Sequence, residues 1–173
     1  MKLNRRLIKY SILQIEVHRR RLDELSQNRN RDKDSFDRWI EAYKAWCQFE
    51  HPIVILWDRA YLAQALEGDR GVIEDCLLYL EVDPWHFRSG YLKEELIRVL
   101  KKCPLLERDI TRVHRLILNI CRGQDRREFR RFCALARRFW TKDFEQQVEQ
   151  HRALYDRKSH GKFSYLLDFC HTH

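Results

Sequence analysis

Only five glycines and three prolines interrupt 173 residues, and each proline stands at a break in the apolar pattern: His51-Pro52, Asp83-Pro84 and Cys103-Pro104. Glycine and proline are the strongest punctuators of local structure, so their scarcity disfavours a many-turned β fold and favours long helices. Between the breaks, apolar residues recur at three- and four-residue spacing, and no useful length alternates with a period of two. The expected fold class is all-α. Eight or nine amphipathic helices should fill a single domain over residues 1–173, as helical hairpins stacked into a short solenoid or an irregular bundle. A chain of this size buries roughly 70% of the surface its unfolded form exposes, so it needs no covalent staple.

The first helix is expected from Leu3 to Gln27, apolar on more than one face and so in need of several neighbours. The polar run 28–34 is the clearest loop, after which Ser35 is placed to cap a helix with the stripe Phe36, Trp39, Ile40, Tyr43, Trp46 and Cys47. Pro52 should start a helix that stops at Gly68. Further helices follow after Gly71, after a Ser89 cap, from Pro104 to Gly123, from Gln124 or Asp125 to Phe139, and after a Thr141 cap, with a short apolar tail from Phe163 to Phe169. Turns of two to six residues favour antiparallel neighbours.

Helix pairing from about Ser35 to Trp140, and the patch Ala60-Tyr61-Leu62-Ala63-Gln64-Ala65-Leu66-Glu67-Gly68, resemble helical-repeat proteins of the HEAT and tetratricopeptide kind. The resemblance implies a scaffold that binds another macromolecule. No fixed period of 34 or about 40 residues holds across the chain, and no signature residue carries over.

Thirty-four Lys and Arg against twenty-six Asp and Glu give a net charge of +8, and twenty-four of the basic residues are Arg. Arginine's planar fork suits phosphate and carboxylate. Taking about 100° per residue, Arg126, Arg127, Arg130, Arg131, Arg137 and Arg138 fall on one arc, opposite Phe129, Phe132, Cys133, Leu135, Ala136 and Phe139. The preceding helix gathers Arg108, Arg112, Arg115 and Arg122 opposite Val113, Ile117 and Ile120. Packed as a hairpin, the two rows would join into one basic surface for an acidic protein partner or for nucleic acid; a solvated face is the bland alternative. His18-Arg19-Arg20-Arg21, extended by Arg5, Arg6 and Lys9, is a second and more scattered basic cluster. The connection Asp83-Pro84-Trp85-His86-Phe87-Arg88-Ser89-Gly90-Tyr91 is aromatic-rich, and Trp85, His86, Arg88 and Tyr91 are its candidate pocket residues; rings folded onto the core are the alternative.

Catalytic signatures are sparse. No Gly-rich phosphate loop, His-Glu-x-x-His or Gly-x-Ser-x-Gly occurs. The segment Arg108-Asp109-Ile110-Thr111-Arg112-Val113-His114 resembles the Arg-and-His motif of helical ribonucleases of the HEPN type, which would imply that His114 acts on a 2′-hydroxyl; a chain with this many Arg supplies such matches by chance. Cys47 and His51 lie four apart but lack the other half of a zinc site, and Cys170, His171 and His173 sit on a terminus. No metal or cofactor is therefore expected. The six cysteines contain no Cys-x-x-Cys and read as small core residues of a reduced, cytoplasmic protein, and no stretch reads as a signal peptide or membrane span. The expected function is a non-enzymatic interaction module with a protein partner, with nucleic-acid binding and, after it, ribonuclease activity as the alternatives.

Overall fold

The computed structural model describes residues 2–154 and 157–172, the second stretch by backbone alone as far as residue 160. Among these residues there are nine α-helices, one 3-10 helix and no strand. The α-helices are α1 (Arg5–Ser26), α2 (Lys33–Gln48), α3 (Arg59–Leu66), α4 (Arg70–Val82), α5 (Ser89–Leu100), α6 (Glu107–Arg122), α7 (Phe129–Arg138), α8 (Lys142–Leu154) and α9 (Arg157–His171). None is long and apolar enough to cross a membrane.

Capping chemistry sets the boundaries, and it moves several of the expected ones. Asp32, rather than Ser35, caps α2, its carboxylate accepting from the Ser35 amide at 2.7 Å. The segment Pro52–Trp57 is a 3-10 turn, because Asp58 caps a separate α3 by accepting from the Ala60 amide at 2.8 Å. Gly68 ends α3 with a φ of +96°, a conformation that side chains with a Cβ rarely adopt. Ser89 does not cap α5; its hydroxyl accepts from the His86 amide at 3.2 Å and so ties the preceding turn. Pro104 lies before α6, which starts at Glu107 once Asp109 accepts from the Leu106 amide. Thr141 caps α8 as expected.

From α3 to α7 the helices pack on the next but one, α3 on α5, α4 on α6 and α5 on α7, and successive helices pack at α3–α4, α4–α5 and α6–α7. This is the order of stacked hairpins. α1 lies across the 3-10 turn and α4 and carries α2 on its other side, while α9 closes the far end against α6, α7 and α8. The continuous core runs through Ile73, Leu77, Leu80, Leu92, Leu96, Val113, Ile117, Phe132 and Phe163, so α4 to α7 and α9 form a close-packed platform for whatever the turns carry. Asp75 is buried and accepts from the Leu3 amide at 3.3 Å and the Tyr61 hydroxyl at 2.7 Å, which docks the start of the chain onto α4.

Candidate functional site

The connection between α4 and α5 combines several features of a binding site. Asp83 and Arg88, which bracket it, are the two non-glycine residues with positive φ among those described, at 51° and 65°. Such backbone is costly and persists where surrounding structure enforces it. Between them Pro84 and His86 are buried, whereas Trp85 is 80% exposed. The His86 Nδ1 lies 2.9 Å from the Phe87 carbonyl oxygen, so it carries the proton, and Nε2 accepts from the Tyr79 hydroxyl at 2.8 Å. Burial pushes this imidazole below its ordinary pKa, helped by the charge of Lys93 and opposed by the bond to Phe87. His86 is thus a neutral strut, while Trp85, Arg88 and Tyr91 face outward.

These residues wall a cavity of about 420 Å3 together with Phe87, Glu16 from α1, and Arg127 and Glu128 from the turn before α7. The ring faces near it already carry cations. The Arg127 guanidinium lies 4.1 Å from the Tyr91 centroid, that of Arg19 lies 4.7 Å from Phe87, and that of Arg88 lies 5.5 Å from Trp57. Arg127 also donates to Glu94 at 3.1 Å.

Beneath the cavity lies a buried ionic group. Lys93, with a side chain 1% exposed, places Nζ 2.7 Å from Asp83 and 3.7 Å from Oε1 of Glu128, which is itself 4% exposed. Arg126 adds two 2.7 Å contacts to the Asp83 carboxylate. Glu128 Oε1 is buried without a hydrogen-bond donor, so Lys93 provides its charge compensation. Neither residue is among the site candidates that the sequence offers, although a signal is present there. Lys93 stands at helical spacing from Leu96, Ile97 and Leu100, and Glu128 from Phe132 and Leu135, so each puts a charge inside an apolar stripe.

The two arginine rows do not join into one free surface. α7 begins at Phe129, so Arg126 and Arg127 sit in the preceding turn, off its helical wheel, and face carboxylates. Arg112 makes four contacts of 2.5–3.1 Å with Glu74 and Glu81, which push its pKa up, the bond to Glu81 foremost. Arg131 lies 3.8 Å from Glu94; Arg137 and Arg138 cover the rings of Phe169 and Phe139. Arg108, Arg115 and Arg130 remain exposed, with the Arg108 guanidinium 3.9 Å from Asp109. The helices do pack together, but neighbouring acidic residues draw Arg112 and Arg126 in, to 23% and 14% exposure.

Arg108 and His114, the two residues of the ribonuclease-like motif, border different cavities. His114 stacks on Phe144 at 3.9 Å, its Nε2 donates to the Phe139 carbonyl oxygen at 2.8 Å, and burial lowers its pKa. It faces the groove between α6 and α8, while Arg108 borders a different cavity at the start of α1. Cys47 is exposed near the end of α2, which stops at Gln48 before His51. His171 bonds Glu145 at 2.8 Å, and His173 lies outside the described residues. Among the described residues no group of three or more His, Cys, Asp or Glu has metal-binding geometry. No family model, curated protein or solved structure matches the chain.

Proposed function

We propose that this protein is a non-enzymatic interaction module that binds a protein partner through the aromatic cavity at the α4–α5 turn. The observation that carries this reading is the cavity itself: Trp85 at 80% exposure beside Tyr91, Phe87 and Arg88, held over a rigid ionic floor. Exposed Trp, Tyr and Arg gathered round a concavity match the composition of interface hot spots. Charge favours a protein over nucleic acid here. Glu16 and Glu128 share the wall with Arg88 and Arg127, so the lining is mixed in sign, and Tyr91 and Phe87 already hold guanidiniums where bases would stack. A helical-repeat scaffold would present such a turn in this way.

The test is site-specific photocrosslinking in the native cell, with the photoreactive residue at position 85 or 91 and, for comparison, at the exposed position 130. The reading expects one protein adduct shared by positions 85 and 91 and lost when Arg88 is changed to Glu. Recovery of nucleic acid at those positions, or the same adducts from position 130, would refute it.

A further inference from the structure

The arginines at the start of α6 serve a different place from the aromatic turn. Arg108 and Arg112 reach the N-terminal ends of α1 and α4, where Lys2, Arg5, Arg70 and Glu74 complete the wall of an open cavity of about 660 Å3. Five cationic side chains thus face one space with a single carboxylate on its wall. The nearby carboxylates are already engaged. Glu74 and Glu81 receive Arg112, and the buried Asp109 receives Arg70 and the Leu106 amide.

Three cations are left underused. Lys2 has no ion pair among the described residues, Arg5 is 62% exposed with one contact of 3.5 Å to Glu81, and Arg108 is 73% exposed. Arg70 adds a buried Nε with no acceptor. The attraction lies in these side chains and not in the helix ends, since Asn4 caps α1 and Asp69 caps α4. Glu81 and Asp83 line the adjoining cavity with Arg5 and Arg112 and would repel a phosphate backbone continuing past the site.

We propose that this cavity binds a small polyphosphorylated anion, held by Lys2, Arg5 and Arg108 against a wall fixed by Arg70 and Arg112. Several phosphate groups close together suit several guanidiniums converging from three helices, where each forked contact is charge-assisted. The site is separate from the aromatic cavity, so either reading stands without the other.

Calorimetric titration of the full chain with inorganic tripolyphosphate at low ionic strength tests it, with a nucleoside triphosphate and inositol hexakisphosphate as parallel ligands to identify the preferred source of the phosphates. One site per chain is expected, weakening as salt rises. Arg108→Gln and Lys2→Gln, both exposed and therefore harmless to folding, should each weaken binding about tenfold, whereas Arg130→Gln should leave it unchanged. Absence of binding by all three ligands, or equal affinity in the Arg108→Gln, Lys2→Gln and unaltered chains, would overturn the proposal.

Discussion

Replacing Lys93 by Met removes the one cation that compensates Glu128 among the described residues, while keeping most of the side-chain volume. Asp83 tolerates the loss, because Arg126 still holds it through two contacts of 2.7 Å. Glu128 does not, since its Oε1 is buried, lacks a donor and lies 3.7 Å from Lys93 Nζ. Breaking a buried pair from one side costs about 3–5 kcal/mol, a large share of the roughly 5–15 kcal/mol that holds a domain together. Removing the opposite partner should be milder: in Glu128→Gln, Lys93 keeps Asp83 at 2.7 Å, and the cost should be about 1 kcal/mol. With a denaturant slope of about 2 kcal/mol/M, the urea midpoint followed by circular dichroism should fall by about 1.5–2.5 M in Lys93→Met and by about 0.5 M in Glu128→Gln. The double variant Lys93→Met, Glu128→Gln should recover most of the difference, because the stranded charge is gone. Equal shifts for the two single variants, or no recovery in the double, would show that Lys93 does not act as the counter-charge of Glu128.

Three further outcomes follow from burial and backbone geometry. Burial lowers the pKa of His51, His86 and His114 below the ordinary 6.5, so the unfolded chain takes up protons first. Stability is then full above about pH 6.5 and declines as pH falls towards the folded values; a urea midpoint at pH 5.5 equal to or above that at pH 7.5 would contradict this. A thiol reagent should label Cys47 quickly in the native protein and leave Cys76, Cys121 and Cys133 unmodified, because burial raises their pKa, that of Cys121 to about 12; peptide mapping after a short pulse reads the sites. Gly68→Ala should lower stability by about 1 kcal/mol or more, since φ of +96° is strained for any Cβ and the added atom would sit 3.4 Å from Pro104; an unchanged thermal midpoint would count against that strain.

That this chain is helical, where most helices run and much of the core are legible in the sequence, because apolar spacing and scarce breakers are local properties of the chain; the stripe of α2 is the exception, with Phe36, Tyr43 and Cys47 exposed because few elements lie against that helix. The sequence also marked the 83–91 connection, whose aromatic density is visible without any neighbour. Helix starts were less legible, since Asp32 and Ser35, or Asp58 and Pro52, are competing local solutions that differ by one side-chain hydrogen bond. Tertiary structure decided the fate of the charges. A helical wheel places Arg112 and Arg126 on a solvent face, but it contains neither Glu74 and Glu81 of α4 nor the Asp83 carboxylate that receives them. Coulombic pairing depends on distance through space, and residues some thirty to forty positions away in the chain set it. The same packing brought Glu16 to Trp85 and Arg127 to Tyr91, and gathered Lys2, Arg5 and Arg108 round one cavity. Whether an arginine is a strut or a binding group follows from which carboxylates the fold places beside it, and that choice was made by the stacking of α4 between α1 and α6.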